Sequence, residues 1–386
     1  MSADRPVSPD SLPGGSLAGG STPAESGPRV WLLTGFRAGD KAQMVALAEA
    51  LGWPFEIKRF AYRPYEFVTN ILLGLKRAGV DWRRSDKLSP PWPDLVITAG
   101  RRNEPIARWI KAQSKGRCVI VHLGRPWSKV DAFDLVITTP QYNVPLLANV
   151  LQIDLPLHGV TPERMAAAAE NWRDRIATLP RPWIAVMVGG SAPPYVFDAQ
   201  MARCLGRAAA RLARQRGGSL LVATSPRTRA EASDALAAAI DVPCHFYRWV
   251  PEPESNPYLG FLGLADQLVV TGDSMSMVAE ACATGKPVYF FDLGYGWTRM
   301  RTTGPSPVER SGSVPFRPKR LLHWLLAYGL PARIRRDIRK MLRPLVASGR
   351  ATWLGDDQTP TKPTLSTDLT SAAGRVKQVF EQARRP

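Results

Sequence analysis

Short apolar runs alternate with amphipathic segments along most of the chain, and this alternation predicts an α/β fold. Strand-like runs include VWLLTG from Val30, DLVITAG from Asp94 and CVIVHLG from Cys118. Between the first two lies DKAQMVALAEALG, in which apolar residues recur at helical spacing. Helices that separate short, fully apolar strands are typical of parallel sheets covered on both faces, so we predict a doubly wound α/β sheet.

A second series of the same kind begins at PWIAVMVGG, after the break LPRP at Leu179 to Pro182. It continues through SLLVATS, CHFYRW, QLVVT and VYFFDL, with helical segments between them. A chain of 386 residues exceeds the usual size of one core, so we predict two Rossmann-like domains that face each other across a cleft. We place them at residues 29–178 and 179–316, with a disordered tail at 1–28 and C-terminal helices and a tail at 317–386.

The excess of basic residues indicates which class of partner to expect. The chain has 51 basic and 33 acidic residues, a net charge of +18 and a pI near 10.2. This excess favours anionic partners such as a nucleotide diphosphate or an anionic membrane surface, although an Arg-rich proteome gives the same composition. The aromatic residues do not follow the spacing of RNA-binding modules, so nucleic acid is not expected as a partner.

Cysteine and histidine positions argue against a metal site. The four cysteines and four histidines are isolated in sequence, without the paired spacing of zinc ligands. We therefore expect no metal and no cofactor, and reduced thiols in a cytoplasmic protein. No secretory signal or membrane span is expected, since no apolar run reaches about 18 residues. The apolar segment PKRLLHWLLAYGL, which begins at Pro318, would have to pack on a domain or on the inner membrane surface.

The segment TGDSMSMVAEACATGKPVYFFD, which begins at Thr271, is the most informative stretch. Its pattern predicts a strand end, a loop, a short helix and a second strand. Ser274 occupies the expected N-cap, and the amides of Met275, Ser276 and Met277 would be donors without an intrahelical partner. Such a helix start favours a phosphate group, while a capped helix without any ligand would show the same sequence.

The loop TGFRAGDKAQ, which begins at Thr34, is a second candidate site. Gly35 and Gly39 allow a tight turn and a close approach of the backbone to a ligand, and Asp40 would lie at the start of a helix. The loop has neither the glycine spacing of a P-loop nor its Ser/Thr, and it is not a G-x-G-x-x-G motif. Asp40 is therefore either a capping residue or a catalytic one.

Two further loops follow predicted strands in the second series. In VGGSAPPYVFD, Gly189, Gly190 and Ser191 indicate either a close backbone approach to a ligand or a plain turn. In ATSPRTRAEA, Ser225 ends a strand, and Arg227 would either meet a diphosphate in bidentate fashion or be solvated.

These segments together resemble the bacterial relatives of the plant mitochondrial-fission factor that is named for elongated mitochondria. The resemblance covers most of residues 29–325. It rests on LLTGFRAGDKAQMVALAEALG, PDLVITAGRR, FDLVITTPQY, VMVGGSAPPYVFD, TSPRT and NPYLGFLGLADQLVVTGDSMSMVAEACATGKPVYFFDL. Those proteins are similar to GT-B glycosyltransferases, so the resemblance implies a GT-B-like fold with the acceptor on the first domain and a nucleotide-sugar on the second.

The resemblance also implies roles for individual residues. In GT-B enzymes that use uridine-diphosphate sugars, the loop before the corresponding helix meets the diphosphate, and a Glu within the helix bonds the ribose hydroxyls. Residues 274–277 would then serve the diphosphate and Glu280 the ribose. Amides at a helix start suit an anion, and a carboxylate accepts from paired hydroxyls. Asp40 would fill the position of the catalytic base.

Our first hypothesis is a glycosyltransferase-like protein that binds a nucleotide-diphosphate sugar and transfers the sugar to a membrane-associated or envelope acceptor. Asp40 would deprotonate the acceptor, and Arg227 with the helix amides would stabilise the departing diphosphate. The alternative is a non-catalytic membrane-surface adaptor, the role described for the plant members. Nucleotide-sugar epimerisation is less favoured, because no acid–base constellation for it is found. The sequence leaves the sugar, the acceptor, catalytic activity and the oligomeric state open.

Overall fold

The computed structural model describes residues 27–35, 38–63, 79–251, 255–310, 336–356, 359–360 and 368–385. Within these ranges, two six-stranded parallel sheets with helices around them form two Rossmann-like domains. The predicted α/β fold with two such domains is thus confirmed. Residues 1–26 of the predicted tail and the apolar segment that begins at Pro318 lie outside the described residues.

The first domain is built on strands from the first half of the chain. Its strands are β1 Val30–Thr34, β2 Phe55–Arg59, β3 Leu95–Ala99, β4 Val119–Leu123, β5 Leu135–Thr138 and β6 Val150–Gln152. Its helices from this half are α1 Ala38–Leu51 and α2 Glu104–Gln113. The strand order is β2-β1-β3-β4-β5-β6, with all neighbours parallel.

The second domain repeats this architecture. Its strands are β7 Trp183–Met187, β8 Ser219–Ala223, β9 Cys244–Tyr247, β10 Gln267–Thr271, β11 Val288–Phe291 and β12 Thr352–Trp353. The helices of the remaining chain are α3 Pro162–Ile176, α4 Ala199–Arg216, α5 Ala230–Ala237, α6 Tyr258–Leu264, α7 Met275–Cys282, α8 Pro307–Arg310, α9 Arg339–Ala347 and α10 Asp368–Arg384. The strand order is β12-β11-β10-β7-β8-β9, so β10, β7 and β8 are adjacent.

Burial explains which strands the sequence pattern revealed. Every residue of β1, β3, β4, β5, β7 and β8 is buried, as expected for apolar runs covered on both faces. Strand β2 lies at the outer edge of the first sheet and has no buried residue, and its sequence FEIKR mixes charged with apolar positions. The sequence pattern therefore missed β2.

Two described helices show where the chain passes from one domain to the other. Helix α3 packs in the core of the second domain through Met165, Ala169 and Trp172. The expected boundary at Leu179 to Pro182 therefore falls after a helix that already packs in the second core. At the other end of the chain, α10 returns to the first domain and contacts α1, with its Phe380 ring 5.0 Å from the ring of Trp53.

The two ends of the described chain meet at Asp94, just before β3. The Arg29 amide donates to Asp94 Oδ2 at 2.8 Å, and the Arg384 guanidinium of α10 pairs with Asp94 Oδ1. Asp368, at the start of α10, accepts from the backbone amides of Asp154 and Leu155. The first domain is thus assembled from both ends of the described chain.

Candidate functional site

Three loops of the second domain meet at the carboxyl ends of adjacent strands. They follow β7, β8 and β10, and in parallel sheets ligands collect at this edge. The first two loops contain five of the sequence-predicted residues, Gly189, Gly190, Ser191, Ser225 and Arg227, and the third leads into α7. The structure therefore brings these predicted residues together beside the start of α7.

Asp273 joins the three loops and was not singled out in the sequence. Its side chain is buried, and its Oδ2 accepts from the Gly190 amide at 3.0 Å and from Arg227 Nη1 at 2.8 Å. Burial raises the pKa of the Asp273 carboxyl, and the charge of Arg227 opposes that rise. The guanidinium of Arg227 is 41% exposed, so only one end of this ion pair reaches solvent.

The two glycines after β7 are required by contacts within the protein. A Cβ at Gly189 would lie 2.5 Å from Asp273 Oδ2, and a Cβ at Gly190 would lie 2.2 Å from the carbonyl oxygen of Arg227. Any side chain would therefore collide with the neighbouring loops. These contacts account for both glycines without a ligand, and their predicted role in substrate binding stays a prediction.

Hydroxyl groups hold the same loops together. Ser225 Oγ and Thr228 Oγ1 each donate to the Gly189 carbonyl at 2.5 Å. Ser191 Oγ accepts from the Phe197 amide at 3.0 Å. The predicted residues Ser191 and Ser225 thus have structural hydrogen bonds, and their role in substrate binding stays a prediction.

Helix α7 begins as the sequence predicted, with Ser274 at the N-cap and a stop near Gly285, which has φ of 71°. The Ser274 side chain, however, makes no capping hydrogen bond. Within the described residues, no acceptor pairs with the amides of Met275, Ser276 and Met277. The helix therefore presents three backbone donors at its positive end.

The start of α7 faces the first domain. A Cβ at Gly39 in α1 would lie 3.3 Å from Ser276 Oγ, so the two helix starts are in contact range across the domain boundary. Ser276, Met277 and Glu280 are the half-buried residues of α7, whereas its other residues are buried. Ser276 and Glu280 are four residues apart and share one face of the helix.

Asp40 lies in the first turn of α1, as predicted, and next to Gly39. Its Oδ2 is 3.5 Å from the position of a Cβ at Gly100, which follows β3 with φ of 72°. At Gly35, the other predicted glycine of this loop, a Cβ would lie 3.3 Å from a carbon of the Tyr62 ring. The Asp40 carboxylate therefore lies at the edge of the first sheet, next to Gly39, which approaches α7.

Glu280 carries a perturbed carboxyl group. Burial raises its pKa to about 7, and a hydrogen bond from the Tyr258 hydroxyl opposes the rise. The pKa of Tyr258 is raised well above 10, first by burial and then by the Glu280 charge. Tyr258 bonds Oε2, and Oε1 has no hydrogen-bond partner among the described residues. Glu280 lies on the half-buried face of α7 that it shares with Ser276.

Two charged residues at other strand ends have internal roles. Asp292 after β11 is buried and accepts from the amides of Gly294, Met300 and Arg301, while burial raises its pKa to about 6. His122 in β4 is also buried, with Nε2 3.5 Å from Glu104 Oε1. Both side chains are buried and contact other residues of the protein.

No group of three or more His, Cys, Asp or Glu residues suited to a metal ion occurs in the described part of the chain. Among the same residues, no helix combines the length and apolarity that a membrane crossing requires.

Known proteins that are similar to this chain include solved structures and a curated relative. UDP-GlcNAc 2-epimerase from Methanocaldococcus jannaschii aligns over 92% of this chain and 99% of its own, with 9% identity and a TM-score of 0.48. A glycosyltransferase from Rickettsia africae aligns over 93% and 99%, with 10% identity and a TM-score of 0.46. Mitochondrial fission protein ELM1 of Arabidopsis thaliana is 30% identical to this chain over 220 residues. These residues are 51% of this chain and 51% of that protein, so the match spans about half the length of the relative. The family described as mitochondrial fission ELM1 matches residues 38–324, and the chain therefore belongs to this family.

Proposed function

We propose that this protein binds a nucleotide-diphosphate sugar between its two domains. The supporting observation is the start of α7, where three amides without a side-chain cap face α1 and the Glu280 carboxylate follows on the same helix face. The amides and the helix dipole suit a diphosphate, and Glu280 Oε1 suits a ribose hydroxyl. Arg227 uses one of its five N–H donors on Asp273, so further donors are available for the diphosphate.

The same arrangement suits transfer of the sugar to a hydroxyl acceptor. Asp40 would accept the acceptor's proton while the acceptor oxygen attacks the anomeric carbon. The bond from that carbon to the diphosphate breaks, and its electron pair goes to the diphosphate oxygen. Arg227 and the amides of α7 stabilise the charge that forms there. The net charge of +18 suits an acceptor at an anionic membrane surface.

Titration calorimetry with uridine diphosphate tests the binding proposal. We expect saturable binding that weakens by about 2 kcal/mol, or roughly thirtyfold, in Glu280→Ala, because hydrogen bonds from ribose to a carboxylate are lost. Glu170→Ala is the matched control, since Glu170 is an exposed acid on α3. Absence of uridine diphosphate binding, together with salt-sensitive binding to anionic vesicles, would instead support the adaptor hypothesis.

The pKa of Glu280 gives a second test. At a pKa of about 7, the carboxylate fraction rises about tenfold between pH 6 and pH 8. Uridine diphosphate should therefore gain up to about tenfold in affinity over this range relative to its 2′,3′-dideoxy analogue, whose phosphates titrate alike. Glu280→Gln should remove this dependence. An affinity ratio that is constant with pH in the unmodified protein would show that Glu280 does not hold the ribose.

A further inference from the structure

We propose that Tyr258 is a positioning residue for Glu280, and that it holds this carboxylate so that Oε1 meets a ribose hydroxyl of the ligand. This role rests on the proposed function, in which Glu280 binds the ribose. The Tyr258 hydroxyl donates to Glu280 Oε2 and so joins the start of α6 to α7. Since one carboxylate oxygen is bound within the protein, the other is left for a ligand.

Helix α6, which begins at Tyr258, is packed tightly against α3. A Cβ at Gly260 would lie 2.9 Å from the Ala168 carbonyl oxygen. A Cβ at Gly263 would lie 2.8 Å from the Met165 carbonyl oxygen. The backbones of the two helices therefore approach each other as closely as glycine allows, and this packing fixes the place of the Tyr258 hydroxyl.

A second contact joins α6 to the chain that follows α7. Lys286 Nζ donates to the carbonyl oxygens of Leu262 and Gly263, at 2.7 and 2.6 Å, near the end of α6. The start and the end of α6 are thus bonded to Glu280 within α7 and to Lys286 beyond it. These bonds hold α7 against α6, and they fix the direction of the Glu280 side chain.

The hydrogen bond from Tyr258 also favours the ionised form of Glu280. Burial raises the pKa of Glu280 to about 7, and the bond from Tyr258 opposes the rise. The pKa of Tyr258 is itself raised well above 10, so its hydroxyl keeps its proton throughout the titration of Glu280. Tyr258 therefore stabilises the carboxylate, which accepts a ribose hydroxyl better than a protonated carboxyl group does.

Other titratable groups near α7 lie at its start, on the facing start of α1 and after its end: Asp273, Arg227, Asp40, Lys41 and Lys286. Burial lowers the pKa of Lys286 to about 8, so Lys286 loses its charge in the same pH range. Two ligands that differ only in the ribose hydroxyls experience these groups alike. The ratio of their affinities therefore reports on Glu280.

Titration calorimetry of Tyr258→Phe with uridine diphosphate and its 2′,3′-dideoxy analogue tests this role. In the unmodified protein, the affinity ratio should rise with a midpoint near pH 7. Loss of a hydrogen bond to a charged group should move the midpoint to about pH 8 or higher. Relative to its analogue, uridine diphosphate should then bind about fivefold more weakly at pH 7, and less than about twofold more weakly at pH 9.

Tyr289→Phe is the matched control. The Tyr289 hydroxyl is buried in the second domain and has no hydrogen-bond partner among the described residues, so its removal should leave the midpoint unchanged. Tyr258→Phe keeps the aromatic ring, and its thermal unfolding shows whether the fold is retained. An equal loss of relative affinity at pH 7 and pH 9 would assign Tyr258 a structural role only and would overturn the inference.

The titration of Glu280 without a ligand separates this inference from the proposed function. Carbon-13 NMR of labelled glutamate carboxyl groups measures its pKa, with the signal assigned through Glu280→Gln. We expect a higher pKa in Tyr258→Phe than in Tyr289→Phe and the unmodified protein. An unchanged pKa, with uridine diphosphate still bound, overturns the inference alone. A raised pKa in Tyr258→Phe, without any binding of uridine diphosphate to the unmodified protein, overturns the proposed function and with it the role of Tyr258 toward the ribose.

Discussion

Arg227→Met is expected to destabilise the protein by about 2 kcal/mol at pH 8 and by less at pH 5. The substitution leaves the Asp273 carboxylate buried without its counter-charge, and loss of one partner of a buried pair costs about 3–5 kcal/mol. We lower this figure because Arg227 is 41% exposed and its pairing is partly screened. Chemical denaturation at the two pH values measures the effect.

The direction of the pH dependence follows from the position of Asp273. Burial raises the pKa of its carboxyl in the folded protein, and removal of Arg227 raises it further. A carboxyl with a higher pKa in the folded state binds a proton that the unfolded state has already lost, so stability falls as pH rises above the unfolded value of 3.8. Asp273→Asn in the Arg227→Met background should remove this pH dependence.

Arg248→Met provides the matched control. Arg248 pairs with Asp234 at 2.6 Å, closer than the pair of Arg227 and Asp273, but the side chains of both Arg248 and Asp234 are exposed. Exposed pairs contribute about 0–1 kcal/mol, so this variant should lose little stability at either pH. Equal losses of stability in Arg227→Met and Arg248→Met would show that removal of Arg227 does not leave Asp273 as an unpaired buried charge.

Gly190→Ala is expected to destabilise the second domain by about 3 kcal/mol or more. Its Cβ would lie 2.2 Å from the Arg227 carbonyl oxygen, which belongs to the backbone and cannot rotate away. Overpacking typically costs about 1–3 kcal/mol, and here the forced shift would also break the hydrogen bond from the Gly190 amide to Asp273. Thermal and denaturant unfolding measure the loss.

Gly374→Ala should act in the opposite direction. Gly374 lies inside α10, and a Cβ there would meet no atom within 4 Å. Alanine is favoured over glycine within a helix by about 0.5–1 kcal/mol, so the variant should be slightly more stable. If Gly190→Ala and Gly374→Ala changed stability alike, the close approach between the loops that follow β7 and β8 would be disproved.

The sequence predicted those strands well that are buried on both faces of the sheet. Strands such as β1 and β7 are covered on both faces, so their apolar runs were visible without any knowledge of neighbours. Edge strand β2 has no buried residue, and β12 has only two residues, so neither gives a periodic signal. The apolar stripe of α10 predicts a helix but does not specify that it docks on α1.

The candidate residues were chosen because they lie in loops that follow strands, and their role in substrate binding stays a prediction. Ser274 was singled out because an N-cap residue before an apolar helix has a local signature, whereas Glu280 was singled out only through the resemblance to GT-B enzymes. Asp273 was missed because an acid between a glycine and a serine is also typical of a turn, and its partners Gly190 and Arg227 come from other strands. Long-range ion pairs of this kind leave no periodic pattern in a sequence.

The junction of both chain ends at Asp94 determines how the molecule would respond to mechanical load. A force that pulls residues 27 and 385 apart acts first on Asp94 and on the contact between α10 and α1. The second domain lies between these attachment points in the chain, so it carries no tension until α10 detaches. In single-molecule stretching, the first domain would therefore unfold before the second domain, with its candidate site at the start of α7, comes under tension.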